Sequence, residues 1–465
     1  MNLVDLRLAA IDAYMYDCHH DRHGDCYRIE DMTVTRPSPN DGEGGGEWSR
    51  PWNGTGSLDD YQRDRRELSS YFASAFDQIR GEIDRVLAPV VGLPDPDGFD
   101  PLMQDLGEPT AILAPMNVAV NARADQRVIS ETAGLEEDAR LAFSGGALED
   151  FRKNFLNWLE SVAISYYDIT VVLGAALGGE KKLWQTVPDS VDDATAKATQ
   201  AFTDHSNGSP PTWDDITGLL GVMADGVGVF SAVVAPEAAL PIVFGSKAVA
   251  ATLTLVTDVG NDLNKAKQTP APSYKSIMSA FATDIANIME SVYEQEELLR
   301  QNLVSGLAFA TSESWNLDNQ FHGSDRTRPD ALNPEEMHFD QERVREIYDV
   351  ALPRISAELG RAKKVISLLT NDRPWMRHQR LGLGYKGCWN DWDNLRWSLI
   401  ELLGDLAWET DSAAEALKLF AARARETDAD VAAELTQLSD RIVSGSGCDP
   451  EVMPVHPLEP VSRIG

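Results

Sequence analysis

The stretch "FRKNFLNWLESVAISYYDITVV", residues 151–172, decides the fold. Phe151, Phe155, Trp158, Val162, Tyr166, Ile169 and Val172 recur at steps of three and four, which places them on one face of a long helix. Aromatic side chains at that spacing are core packing, not a cofactor box. The helix is predicted to begin near Ala147, and Gly178, Gly179 and Pro188 are predicted to weaken and end it.

The same period recurs on either side. Ser57 can cap a helix running to Pro89, with Leu68, Phe72, Phe76, Ile79, Ile83 and Val86 on one face. Residues 90–135, broken by "GLPDPDGFDP", read as irregular. An amphipathic helix is predicted from Tyr274 to Phe309. Asp340 can cap another that carries Val344, Ile347, Ala351, Ile355, Leu359, Val365 and Leu369, with a kink expected at Pro353. A last helix is predicted from Asp391 to Ile442. No run of alternating strands with turn signals is legible, so the fold class is all-α, built from elongated helical hairpins in a bundle.

Composition narrows the function. The 465 residues are 43% apolar and 25% charged, as in globular proteins, and 74 acids against 41 bases give a net charge of −33. That field repels phosphate backbones and anionic headgroups, so nucleic-acid binding and a polybasic membrane anchor are disfavoured. Four cysteines are too few for a disulfide scaffold. The opening "MNLVDLRLAAIDAYMYD" carries acids early and has no basic start followed by an apolar core, so it does not read as a signal peptide.

Cys18, His19, His20, His23 and Cys26 crowd into "YDCHHDRHGDC", residues 16–26. Structural zinc usually draws ligand pairs from separate turns, and no second pair follows here, so no metal site is expected. The segment "TRPSPNDGEGGGEWSRPWNGTGS" after it has linker composition, and residues 1–56 are predicted to form a weakly ordered arm. Met32 is an alternative start that would remove most of that arm.

"GLGYKG" gives Gly382, Gly384 and Gly387 the spacing of a dinucleotide loop, but no strand–turn–helix unit surrounds it. It reads as a flexible loop between helices. No helical His-Glu-x-x-His, nucleophile elbow or phosphate loop is present. With no nucleophile, base and orienting group in one pattern, no enzyme and no cofactor are expected.

Residues 216–257 form a Gly/Ala/Val block that Pro236 and Glu237 divide into arms 216–235 and 238–257, each about bilayer length. Asp225 lies eleven residues before Pro236 and Lys247 eleven after it. An antiparallel hairpin would bring these charges level, where they could pair. Two mid-arm charges are expensive in lipid, so a hairpin buried in a soluble bundle is favoured over a membrane hairpin.

Two regions resemble the helical-hairpin substrates and associated proteins of actinobacterial type VII (ESX) secretion systems. In "FSGGALEDFRKNF", residues 143–155, Phe143 stands for the tryptophan of a Trp-x-Gly turn, Gly145, Ala147 and Phe151 match, and Leu148 replaces a second alanine. Residues 337–442 are similar to small proteins made of a helix, a Gly/Trp loop and a second helix ending in Ala-x-x-Tyr-x-x-x-Asp. Ala421 and Asp428 match there, with Ala424 at the tyrosine position.

The resemblance implies a hairpin domain at 57–205 with an inserted irregular segment and a second hairpin at 337–445; sequence pattern and composition add the apolar hairpin at 213–265, an amphipathic helix at 274–320 and a disordered Pro-rich tail at 446–465. The resemblance further implies a non-enzymatic protein, made in the cytoplasm and exported to the medium or cell surface. Its partners would be proteins: the secretion apparatus, a helical partner or itself. The alternative is a membrane-active protein that inserts residues 216–257.

Overall fold

A computed structural model describes residues 2–52, 54, 57–114, 128, 132, 135, 138–139, 142–144, 151–209, 273–312 and 338–423. The fold is mostly α-helical, with a small four-stranded sheet near the N-terminus. Asp225, Lys247 and the whole 213–265 block lie outside the described residues, as does 446–465.

The longest element is α4, Asn157–Ser206, entered through a single π-helical stretch at Arg152–Leu156. Its stripe is buried as the periodicity requires: Phe155, Val162, Tyr166 and Ile169 are in the core, while Trp158 is partly exposed. The helix does not end at Gly178, Gly179 or Pro188; it continues unbroken past all three. An interior proline costs roughly 3 kcal/mol in an isolated helix, but Leu183, Trp184, Val187 and Val191 around it are all buried, and that burial outweighs the local penalty. Gly179 has a packing reason, because a β-carbon there would come within 2.6 Å of Leu299 Cδ2.

Leu299 belongs to α5, Tyr274–Ala310, which starts with a capping box at Ser273 and Ser276. The helix lies antiparallel to α4: Gly179 faces Leu299, and Phe202 stacks on Tyr274 with ring centroids 5.9 Å apart. A third long helix, α8 at Trp389–Arg423, packs against both. Trp392 Nε1 there donates to the Leu173 carbonyl at 3.0 Å. The predicted extension of α8 to Ile442 lies outside the described residues.

Of the segment expected to be a weakly ordered arm, 1–56, the described residues 2–52 are instead packed on this frame. Helix α1, Leu3–Asp17, lies against α4, with Leu6, Leu8, Ala9, Ala10, Ile11, Ala13 and Met15 buried. It is apolar nearly all round, so it lacks the one-sided stripe that marks a surface helix. The meander β1–β4 (Asp21–His23, Cys26–Ile29, Met32–Thr35, Trp48–Ser49) follows, each strand antiparallel to the next. Asp12 ties the sheet to α1: its buried carboxylate accepts from Tyr27 Oη at 2.7 Å and from Arg36 Nε and Nη2 at 2.8 Å each. The glycine-rich run is fixed as well, since Arg80 donates to the carbonyls of Gly42 and Gly44. Arg80 lies on α2, Leu58–Leu87.

Ser57 caps α2 as its sequence predicts, accepting from the Asp59 amide at 3.2 Å. Ser57→Ala is expected to cost about 1 kcal/mol, read as a lower urea midpoint at unchanged m-value. The stretch expected to be irregular after residue 90 contains a helix, α3 at Asp100–Leu113, with Pro101 in its first turn and Pro109 inside it.

Phe143–Ser144 (β5) and His338–Phe339 (β6) pair antiparallel, Phe143 opposite Phe339. Asp340 then caps α6, Gln341–Glu346, through the amides of Glu342 and Arg343. Pro353 perturbs the helix as anticipated: a π-helical stretch at Ile347–Ala351 separates α6 from α7, Leu352–Ser367. Helices α7 and α8 pack closely as a hairpin joined by residues 368–388.

Candidate functional site

A fully buried polar cluster lies at the α7–α8 connection. It begins with aromatic packing: Trp375 lies edge-on to Phe99 at 5.3 Å and tilted against Trp389 and Trp392 at 6.0 and 6.2 Å. This wedge carries the next residues inward, so that Arg377 reaches the contact between α4 and α5. There the guanidinium pairs with Glu296 of α5 and sits 3.6 Å from Glu180 of α4. All three side chains are fully enclosed. The guanidinium also lies over the Trp184 ring, 5.0 Å from its centroid.

Charge explains the rest of the arrangement. Two carboxylates against one guanidinium leave a surplus negative charge, which would be costly in a dry interior. Neutral donors share it. Glu180 accepts from Trp184 Nε1 at 2.7 Å and from Cys388 Sγ at 3.2 Å, and Glu296 accepts from the Leu383 amide at 2.5 Å. Burial and the Glu180 charge push the Cys388 thiol well above its usual range, so it remains a protonated donor. Burial pulls the Arg377 guanidinium down, opposed by Glu180.

The glycines of "GLGYKG" now acquire a reason. Gly382 and Gly387 have φ of +57° and +51°, and a β-carbon at either would collide with the Glu296 carboxylate or the Arg377 guanidinium respectively. The Arg377 amide bonds to the Tyr385 carbonyl at 3.0 Å, closing the loop on itself. The run is a helix–helix loop, as its sequence context implies, but it is pinned where flexibility was expected. A fully enclosed ion cluster presents no atom to a substrate in this conformation. Its chemistry is that of a clamp, holding α4, α5 and the α7–α8 loop in one register.

Sequence reading missed Glu180, Glu296, Arg377 and Cys388. The available signal was weak: an arginine and a cysteine flanking a glycine-rich loop between helices. Their acidic partners are about 80 and 200 positions away in the chain.

Of the residues singled out by motif, Phe143 pairs with Phe339 as described, and Phe151 stacks on Phe155 at 5.4 Å. Ala421 is buried in α8. Gly145, Ala147 and Asp428 lie outside the described residues. The Cys/His run is distributed over three elements: Cys18 ends α1, His23 closes β1 and Cys26 opens β2. Cys26 Sγ donates to the His23 carbonyl, and the His20 ring stands edge-on to Phe72. Among the described residues, no group of three or more His, Cys, Asp or Glu is placed to hold a metal ion.

Compared with known proteins, the chain matches no family model, no curated protein and no solved structure.

Proposed function

We propose that this protein is a non-enzymatic helical component of a type VII (ESX-like) secretion system, an exported substrate or scaffold that acts through protein–protein contacts. The observation that carries the reading is the pairing of Phe143 with Phe339. It joins the two stretches that resemble this family, the strand at Phe143 and the start of the C-terminal hairpin. That hairpin, α7–loop–α8, carries Trp375, Gly382, Gly384 and Gly387 in its connection, which supports the reading. The enclosed clamp adds support, because its ionisable groups bind one another and none faces outward.

The test is export from a host that carries the apparatus. Unprocessed protein is expected in the medium of wild-type cells and strongly reduced in cells lacking the secretion ATPase. Equal amounts outside both strains would overturn the reading. Stable recovery of the purified protein with liposomes would instead favour the alternative in which residues 216–257 insert. Among the described residues, Trp158–Ser206 is the one helix long and apolar enough to cross a membrane, and 83% of its most apolar window is buried.

A further inference from the structure

Helix α8 buries most of its circumference but leaves one face open. Trp397, Trp408 and Leu419 are 43%, 43% and 48% exposed. They recur every eleven residues, and eleven residues make almost three whole helical turns, so the three side chains lie in line. Glu401, Asp405, Asp411 and Glu415 are exposed on or beside this face, with Lys418 at 4.0 Å from Glu415 and the Lys363 ammonium lying against Gly404. Large apolar side chains left in line on an otherwise well-buried helix mark a contact surface. The Trp397 ring already holds the Arg396 guanidinium on one side, at 5.1 Å from its centroid.

The charge of the face selects its occupant. Four acids against Lys363 and Lys418 leave the face net negative, so a second copy of it, or an anionic bilayer, would meet like charge. Glu401 already feels this field: partial burial and Asp405 push its carboxyl upward, opposed by Lys363. A basic partner relieves the repulsion, and an amphipathic helix supplies apolar side chains at matching spacing.

We propose that the face of α8 formed by Trp397, Glu401, Trp408, Glu415 and Leu419 docks an amphipathic helix with lysine or arginine flanks, supplied by a partner protein. The inference names a partner class for the contact-mediated function above. It stands or falls separately from export, because binding is measured on purified protein.

The test uses the full chain and a fluorescent leucine/lysine amphipathic peptide of about 22 residues, long enough to span the face. Polarisation should show saturable binding that weakens with added salt. Trp408→Ala should raise Kd at least tenfold, and Leu419→Ala should act in the same direction. Glu401→Gln with Glu415→Gln should raise Kd and flatten the salt dependence. Asp59→Asn with Asp60→Asn, on α2, should leave Kd unchanged, which separates this face from the general attraction of an acidic protein. Circular dichroism melts confirm that each variant is folded. The proposal is overturned by absence of binding, by Trp408→Ala binding like wild type, or by equal weakening in the α2 control. Equal affinity for a leucine/glutamate peptide would also overturn it. So would self-association or partition onto phosphatidylcholine/phosphatidylglycerol vesicles that Trp408→Ala abolishes, since either would assign the face to a different occupant.

Discussion

Arg377→Met is expected to lower the stability of the protein by about 3–5 kcal/mol, because it leaves the Glu180 and Glu296 carboxylates enclosed without their counter-charge. Methionine roughly preserves the apolar stem, so the loss reports charge more than volume. Glu296→Gln alone should also destabilise, since Arg377 then keeps Glu180 but loses its closer partner. Combining the two changes should cost less than the sum of the single effects, because the surplus charge falls when both partners are neutral. Urea unfolding of the four proteins measures this cycle. Strict additivity would show that the residues do not interact, and would remove the clamp from the account of the fold. Gly387→Ala provides an independent check. Its β-carbon would displace the guanidinium, so it should destabilise the protein although it adds a single methyl group at a loop position.

The second large effect depends on pH. Asp168 lies inside α4, 4% exposed, and among the described residues its Oδ1 has no hydrogen-bond partner. Burial raises its carboxyl from 3.8 to about 7. Between these values the folded state holds a proton that the unfolded state has released. The Asp168 contribution to stability therefore falls as pH rises from about 4 to about 7, then levels off once both states are ionised. The full difference corresponds to about 4 kcal/mol, at 1.36 kcal/mol for each pKa unit. Asp168→Asn removes this contribution while keeping the shape. The variant should gain stability relative to wild type as pH increases through the window, and at pH 8 its urea midpoint should be the higher of the two. A wild-type-minus-variant difference that stays constant from pH 4 to pH 8 would show that Asp168 is not a buried, titrating carboxyl. The sign of this slope is opposite to that of a salt-bridged aspartate.

These two sites show how far the sequence could be read. Periodicity located α2, α4, α5, α7 and α8 because each presents an apolar stripe to a core, and a stripe survives in a one-dimensional pattern. Ser57 and Asp340 were legible as caps for a related reason: the donor and acceptor are two or three residues apart. The π-helical stretch before Pro353 was equally local, since proline acts on its own turn.

Tertiary structure decided the rest. Helix α1 was illegible because burial on all sides erases the stripe, and the glycine-rich run after β3 looked like a linker until Arg80 supplied donors for its carbonyls. Gly178, Gly179 and Pro188 obeyed the fold against their local preferences, since α4 gains more from burial on both sides of the proline than it loses at these positions. The clamp lies furthest from sequence reading. Arg377 is 81 residues from Glu296, and Cys388 is 208 from Glu180. One arginine among so many acids carries no mark of its partner. An ion pair is specified by distance in space, and until two helices and a loop converge that distance does not exist.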